Sequence, residues 1–387
     1  MSVDQFQAPD YYLLDDLLTE EHKLVRDACR DWVKREVSPI IEDAAQEAKF
    51  PKQLLSGLAE IGAFGPYIPE QYGGSDLGFL TFGVILEEIG RQLTASPLFA
   101  SALVGASAVL LGGNDAQKQA VLPGIVDGSK ILTLALEEGP RHAPENTALA
   151  AEKNGDGYKL TGAKTFVQEG MSATTYVVVA RTSGARGDSS GLTLFLVDAD
   201  ASGLTRNQVR TVDSRGYANL DLDGVEVSAD AVLGTLDEAY PVLEAVLDRA
   251  RAASGAEMLG TAAQSFDMTL DYLKTREQFG QVIGSFQALG HRAAGLFGQM
   301  ELARSCSEAA LQAIDDDNNT QQMASLSKCR VGEFLYEMSN QLIQIHGGIG
   351  MTDEFNAGLY LKRARTLETA YGNRSYHRDR YATLSGF

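Results

Sequence analysis

The chain has few cysteines and few positive charges, and each shortage excludes a class of function. Its 387 residues include three cysteines, Cys29, Cys306 and Cys329, which are far apart and odd in number. This argues against a disulfide framework and a zinc knuckle, and a reducing cytoplasm fits best. The 33 lysines and arginines face 52 aspartates and glutamates, a formal charge of −19. Such an acidic surface repels nucleic acid and anionic lipid, so an anionic ligand must be met by a local basic site.

Long apolar runs are also missing. The longest, such as residues 102–111 and 176–180, fall short of the ~20 residues needed to cross a bilayer, so no membrane span is expected. The first six residues, Met-Ser-Val-Asp-Gln-Phe, lack the basic and apolar regions of a secretory signal. Residues 315–319 (Asp-Asp-Asp-Asn-Asn) lack the spacing of a calcium site. They predict a solvated turn between helices, and no metal is expected.

The length and the hydrophobic pattern predict three domains, since 387 residues exceed what one hydrophobic core holds. Up to about residue 128, apolar residues recur at three- and four-residue spacing, as at Val25, Ala28 and Trp32, which predicts helices. Short apolar or alternating segments between turns then predict strands, and long helical patterns return near residue 237. We predict an α+β fold: an N-terminal helical domain (1–128), a middle β-barrel-like domain (129–236) and a C-terminal four-helix bundle (237–387).

Two segments carry chemistry. Residues 276–287 read Arg-Glu-Gln-Phe-Gly-Gln-Val-Ile-Gly-Ser-Phe-Gln, and residues 344–352 read Gln-Ile-His-Gly-Gly-Ile-Gly-Met-Thr. Each puts a charged or amide side chain beside glycines at the end of a long helical pattern. Backbone N–H groups and a guanidinium can jointly hold phosphate oxygens there. The alternative is that Arg276 caps its helix electrostatically and the glycines merely end a helix.

With residues 69–74 (Pro-Glu-Gln-Tyr-Gly-Gly) and 157–164 (Gly-Tyr-Lys-Leu-Thr-Gly-Ala-Lys), these segments make nearly the whole chain resemble the acyl-CoA dehydrogenases. Those flavoproteins put a double bond between Cα and Cβ of an acyl-CoA. The resemblance implies the same order of helical, β and helical domains, FAD as cofactor, an acyl-CoA substrate and an electron-accepting flavoprotein. It also implies dimers and tetramers, because the C-terminal motifs hold the ADP half of a FAD whose ring lies in the neighbouring subunit.

The resemblance assigns this ADP-binding role to residues of both segments: Arg276, Phe279, Gln287, Gln344, Gly347 and Gly348. Arg276 would pair with the pyrophosphate, Phe279 would pack near the adenine, and the glycines would let the backbone approach the phosphates. His291 and His346 are expected to serve helix packing and cofactor framing rather than proton transfer.

Compared with this family, the chain lacks the catalytic base. The family abstracts the α-proton with a glutamate, usually in a Tyr-Glu-Gly-Thr context, and Tyr371 stands at that position. A second lineage places its glutamate before an arginine that matches Arg251, where this chain has Ala250. Tyr371 is a poor base because the reference pKa of a phenol is near ~10, and Glu368 is offset by three residues. Asp248 remains as a candidate base, against the alternative of a surface helix charge.

The residues expected to meet the flavin ring also differ. Where the family reads Leu-Thr-Glu-Pro followed by Gly-Ser-Asp, residues 136–142 read Leu-Glu-Glu-Gly-Pro-Arg-His, without the hydroxyls that bond the flavin and the acyl-CoA. Phe166 replaces the family's indole beside the flavin, and Gln168 replaces a threonine. These two residues complete the expected cofactor-binding set.

The changes fall on the chain's own ring site and base, whereas residues that would hold a neighbour's ADP remain. This asymmetry resembles the glutamate-lacking subunit of the heteromeric α2β2 acyl-CoA dehydrogenases of bacterial steroid catabolism. The expected partner is a homologous subunit with the glutamate, and the expected substrate is a bulky or steroid-derived acyl-CoA. Two alternatives stay open: a self-sufficient flavoenzyme of this fold with another base or a related reaction, and a non-catalytic acyl-CoA-binding protein.

Overall fold

A computed structural model describes residues 18–40 and 53–387. The six N-terminal residues considered for a secretory signal lie outside the described residues. Within the described ranges, no helix is long and apolar enough to cross a membrane, and no group of three or more His, Cys, Asp and Glu side chains could hold a metal ion. Cys29, Cys306 and Cys329 are free thiols.

The N-terminal domain is helical, as predicted. Its elements are α1 (Glu20–Glu36), α2 (Gln53–Glu60), α3 (Gly78–Arg91), a π-helical segment (Leu98–Gly105), α4 (Ala106–Gly112) and α5 (Asp115–Val126). The N-cap residue of α1 is Thr19, whose side-chain oxygen accepts a hydrogen bond from the backbone N–H of His22. Trp32 and Val33 on the inner face of α1 are buried in the same core as Ile85 of α3. Burial of this apolar stripe holds the helices together.

The middle domain is one eight-stranded sheet. Its strands are β1 (Leu132–Ala135), β2 (Ala150–Asn154), β3 (Gly157–Gln168), β4 (Thr175–Arg181), β5 (Leu192–Asp198), β6 (Leu204–Arg210), β7 (Gly216–Val227) and β8 (Val232–Leu233). The order is β6-β7-β3-β2-β4-β5-β8, with β1 parallel to β4 and β3 antiparallel to β7. The register of β3 against β7 shifts between Lys164 and Val167. This irregularity leaves Phe166 in the left-handed region at φ 51°.

The C-terminal domain consists of long helices and one small hairpin. The elements are α6 (Tyr240–Thr275), β9 (Glu277–Gln278), β10 (Gln281–Val282), α7 (Gln287–Asp315), α8 (Thr320–His346), α9 (Ala357–Thr369) and α10 (Arg374–Leu384). As predicted, residues 316–319 form the turn between α7 and α8. The carboxylate of Asp315, at the end of α7, accepts hydrogen bonds from the backbone N–H groups of Phe79 (2.6 Å) and Leu80 (2.9 Å). It thereby caps the start of α3.

Glycines let α3 lie directly against α6. An added Cβ at Gly260 would stand 1.9 Å from the carbonyl oxygen of Glu87, and one at Gly90 would stand 2.2 Å from that of Glu257. No side chain fits either place. The close contact fixes the N-terminal domain against the helix on which Asp248 and Arg251 lie.

Candidate functional site

The first segment forms an exposed hairpin beyond the end of α6. Arg276 follows the last residue of α6, and the turn between β9 and β10 consists of Phe279 and Gly280, with φ 54° and 79°. Phe279 is 93% exposed, and its ring stands edge-on to Phe286 at a centroid distance of 6.2 Å. Arg276 is exposed and forms no ion pair within the described ranges. The hairpin therefore offers an open cation and an open aromatic face.

The second segment meets the first through an aromatic stack. The imidazole of His346, the last residue of α8, stacks between Tyr272 and Phe355 at centroid distances of 4.3 and 4.4 Å. Tyr272 lies one helical turn before Arg276, so the stack brings the ends of α6 and α8 together. His346 Nδ1 lies 2.7 Å from the carbonyl oxygen of Leu342, and burial lowers the pKa of the ring. A neutral, stacked imidazole has the packing role expected of His346. The other histidine considered in the sequence, His291, is exposed on α7.

Gly347 and Gly348 border open space beside this stack. A Cβ added at Gly347 or Gly348 would meet no atom within 4 Å. Gln287 and Gln344 are both exposed at the adjoining helix ends. His346 Nε2 is buried and has no hydrogen-bond partner in the described part of the chain. Open glycines, a nearby cation and an unsatisfied buried nitrogen match the needs of a bound nucleotide.

Tyr371, which the resemblance puts at the family's base position, contacts a residue of the expected ring site. The Tyr371 hydroxyl donates to Oε1 of Gln168 at 3.3 Å, and its ring packs on Phe99 at a centroid distance of 5.7 Å. Burial raises the pKa of Tyr371 further above the ordinary phenol value. A phenol in this state does not accept a proton, because it already carries one.

The position that the resemblance gives for the second lineage's base carries no carboxylate, and that of nearby Asp248 is engaged. Ala250 is fully buried and has no titratable group. Asp248 is 1% exposed, and its carboxylate lies 2.9 Å from Nη1 of Arg251 and 2.8 Å from Nη2 of Arg380. The alternative of a surface charge is therefore wrong for Asp248. Its two arginine partners hold it in buried ion pairs, so it is not a free carboxylate.

The expected ring-contact residues lie on the irregular end of β3. Phe166 is 52% exposed, and its N–H donates to Oδ1 of Asn219 at 3.1 Å. Gln168 is half-buried beneath Tyr371. Nearby, the buried Lys164 ammonium donates to Oε1 of Glu138 at 2.7 Å, and burial lowers the pKa of Lys164 to about 8.

A buried charged cluster next to Gln168 was not predicted from the sequence. Arg363 pairs with Glu257 at 2.5 Å and with Asp213 at 2.7 Å. Glu169 and Arg215 line one small cavity with Gln168, Glu257 and Arg363. Burial raises the pKa of Glu169 to about 7. Burial also opposes ionisation of Asp213, but the nearby Arg363 and Arg215 outweigh it and lower the pKa of Asp213 to about 2.

One sequence signal could have indicated this cluster. Residues 252–260, Ala-Ala-Ser-Gly-Ala-Glu-Met-Leu-Gly, contain a single charge in a run of small and apolar residues. A lone glutamate on the buried face of a helix requires a partner, since an unpaired buried charge is costly. The sequence does not show where that partner comes from, because Arg363 lies 106 residues away.

Comparison with known proteins agrees with this geometry. The N-terminal, middle and C-terminal domain models of acyl-CoA dehydrogenase match residues 19–129, 137–226 and 240–384. The chain is 30% identical over 368 residues to the probable acyl-CoA dehydrogenase YngJ of Bacillus subtilis, covering 93% of this chain and 97% of that protein.

Two solved structures have the same fold. Butyryl-CoA dehydrogenase from Megasphaera elsdenii superposes with a TM-score of 0.91 at 24% identity, over 95% of this chain and 98% of that one. The Tcur3481-Tcur3483 steroid ACAD superposes with a TM-score of 0.85 at 32% identity, over 95% and 98%.

The fold and the sequence matches together define an oxidoreductase that acts on CH–CH donors. The chain belongs to the acyl-CoA dehydrogenase family, whose enzymes bind FAD and oxidise acyl-CoA. The predicted order of helical, β and helical domains is thereby confirmed.

Proposed function

We propose that this chain is the FAD-completing subunit of a heteromeric acyl-CoA dehydrogenase. The complex would introduce the α,β double bond into an acyl-CoA, and a homologous partner subunit would supply the catalytic glutamate. The observation that carries this proposal is the state of Tyr371, a protonated phenol hydrogen-bonded to Gln168 where the family has its base. FAD, when bound, supplies the acceptor for the hydride that leaves Cβ.

The residues that the resemblance assigns to ADP binding support the other part of the proposal, in which this chain helps to hold the FAD. Arg276, Phe279 and the open glycines at 347 and 348 stand exposed at one end of the bundle. A FAD held there would present its ring to another subunit. Arg276 would hold the pyrophosphate, and Phe279 would pack on the adenine.

The exposed apolar side chains near this end support assembly. Phe279 is 93% exposed and Met351 is 78% exposed. Such side chains around a shared ligand site are the kind of surface that a neighbouring subunit covers. We propose a heterotetramer, with a homotetramer as the alternative.

The proposed substrate is a bulky or steroid-derived acyl-CoA, supported by the 32% identity to a steroid ACAD. An electron-transferring flavoprotein would take up the electrons. We also propose a cytoplasmic location, since a reducing compartment keeps cysteines as free thiols.

The test is expression of the chain alone and with a homologue that carries the Tyr-Glu-Gly-Thr sequence. The expected result is flavin absorbance and acyl-CoA dehydrogenation only from the co-expressed pair. Full flavin content and activity in the chain alone would overturn the proposal in favour of a self-sufficient enzyme. Absence of flavin in both preparations would favour a non-catalytic acyl-CoA-binding protein.

One observation favours the self-sufficient alternative. Glu169 is a buried carboxyl group directly after Gln168, and burial raises its pKa to about 7, a value suited to a general base. If Glu169 acts as the base, Glu169→Gln should lower the dehydrogenation rate on the order of 10²–10⁴-fold at unchanged flavin content. If the partner supplies the base, the same variant keeps activity within a few-fold of the parent.

A further inference from the structure

Three side chains connect the middle domain directly to α6. Arg251 Nη2 on α6 donates to His142 Nε2 at 3.0 Å, and His142 Nδ1 lies 2.6 Å from Oε1 of Glu137. Glu137 and His142 belong to the loop after β1, where the family's flavin- and substrate-binding hydroxyls are missing. The contacts therefore cross the space between the expected ring site and the second base position.

The hydrogen-bond donors and acceptors around His142 determine which of its ring nitrogens carries the hydrogen. A guanidinium only donates, so His142 Nε2 must accept and its hydrogen must be on Nδ1. Nδ1–H then donates to the Glu137 carboxylate, which only accepts when ionised. His142 is consequently neutral and locked in one tautomer, and the charges at the two ends have opposite sign.

Arg251 has no donor left for a ligand. Its side chain is fully buried, and a guanidinium has five N–H groups. Five acceptors surround them: Oε2 of Glu244, Oδ1 of Asp248, Nε2 of His142, the hydroxyl oxygen of Tyr376 and the carbonyl oxygen of Tyr371. Moving His142 away would leave a buried N–H without a partner, which opposes opening.

Glu137 is held at its backbone as well. Its carbonyl oxygen accepts from the N–H of Thr165 at 2.7 Å, one residue before Phe166 on β3. The carboxylate is thus fixed next to the place where the resemblance puts the flavin ring. Flavin carbonyl oxygens need donors, and a reduced flavin ring carries negative charge, so a fixed carboxylate there is unfavourable on both counts. The residues of the ring site do not fit the ring, whereas those of the ADP site fit their ligand.

We propose that Glu137, His142 and Arg251 form a latch that closes this chain's own middle-domain site against a flavin ring. This inference rests on the proposed function, because only a subunit that leaves the ring to its partner can close this site. The latch also ties the middle domain to the bundle through a neutral imidazole between two opposite charges.

The test uses riboflavin, which has the ring but no ADP and needs only this chain's own ring site. Quenching of riboflavin fluorescence is titrated on the full-length parent, on Glu137→Thr and on the control Glu152→Gln, an exposed carboxylate on β2 of the same sheet. The parent and the control are expected to bind weakly and equally. Glu137→Thr restores a hydroxyl and is expected to bind riboflavin at least roughly tenfold more tightly, a change equivalent to ~1.4 kcal/mol.

A second variant keeps the test decisive if Glu137→Thr does not fold. Glu137→Ala removes both the charge and the oxygen that accepts from His142, so the contact that closes the site is lost, and a several-fold tighter affinity is expected. Riboflavin binding to the parent as tight as to the variants would overturn the latch, as would folded variants without any gain. This readout is independent of dehydrogenation, so failure of the latch and failure of the heteromeric proposal are distinguishable.

Discussion

The Tyr371 hydroxyl lies 3.3 Å from Oε1 of Gln168, so the side chain at the family's base position is hydrogen-bonded to the side chain at its flavin-contact position. In a dehydrogenation the reacting Cα–Cβ bond must stand between a base and the flavin. We infer that this hydrogen bond occupies the place that the reacting bond would need. Under the proposed function, the chain's own site would then lack both a base and the space for the substrate.

The first prediction concerns Tyr371→Phe. The variant loses one hydrogen bond worth about 1 kcal/mol and no base, so dehydrogenation by the assembled complex should stay within a few-fold of the parent. Steady-state rates at matched flavin content measure this, with Tyr381→Phe, a more exposed tyrosine on α10, as control. A loss on the order of a thousandfold at full flavin content would instead make Tyr371 the catalytic residue of a single-subunit enzyme.

The second prediction concerns Arg276→Ala. Removing the guanidinium should eliminate charge-assisted hydrogen bonds worth ~1.5–3 kcal/mol each and weaken FAD retention by the complex at least roughly tenfold. Equilibrium dialysis of the complex against FAD measures the change. Arg292→Ala is the matched control, because this exposed arginine on α7 donates a hydrogen bond to Oε1 of Gln341 at 3.1 Å and is not among the residues proposed to bind FAD. Equal flavin content in both variants would contradict FAD binding by Arg276 and favour the alternative that Arg276 caps the end of its helix electrostatically.

The third prediction concerns Gly348→Ala. An added Cβ meets no protein atom within 4 Å, so the melting temperature of the FAD-free chain should not change. The methyl group would occupy the space proposed for the phosphates, and FAD affinity should fall at least roughly tenfold. Gly298→Ala, an equally open and exposed site on α7, is the control for adding a methyl group. Unchanged FAD affinity in Gly348→Ala would show that the phosphates do not approach this backbone.

The fourth prediction concerns the pH dependence of Glu169. Burial raises its pKa from 4.5 to about 7, so the folded state binds its proton more tightly than the unfolded state. This contribution to stability is fully present below pH 4.5 and is lost as the pH rises through 7. Glu169→Gln lacks it, and the stability of the variant relative to the parent should rise by about 1.4 kcal/mol per pH unit across that window. Melting temperatures at pH 5 and pH 8, at one protein concentration, measure the trend; a pH-independent difference would contradict it.

The fifth prediction concerns assembly. Phe279 and Met351 lie largely exposed beside the proposed nucleotide site, and we expect a neighbour to cover them. Sedimentation of the co-expressed pair at micromolar concentration should show a tetramer, and Phe279→Ala should shift it toward smaller species or weaken FAD retention. A monodisperse monomer of the parent would contradict the proposed assembly.

The sequence by itself determined the fold class, because each domain has its own hydrophobic period. The repeats of three and four around Ala28 and Trp32 fit only helices buried on one face, and the short apolar segments between turns fit strands. The two glycine segments could also be identified, since a local cluster of guanidinium, amide and glycine is contiguous in the chain. The presence of Tyr371, where the resemblance leads one to expect a glutamate, is likewise a property of a single position.

The tertiary structure alone decided how distant charges pair. Asp248 reads as a surface charge or a base from its helix. In the structure it is buried, and Arg380 from α10 adds a second ion pair to the one with Arg251 on the same helix. The contact of Arg251 with His142, 109 residues apart, follows from packing between two domains, and that of Arg363 with Glu257 from packing between two helices of one domain. No local pattern encodes either contact. The energy of an ion pair depends on the distance between the two charges and on their burial. Neither quantity can be read from the positions of two residues that are far apart in the sequence.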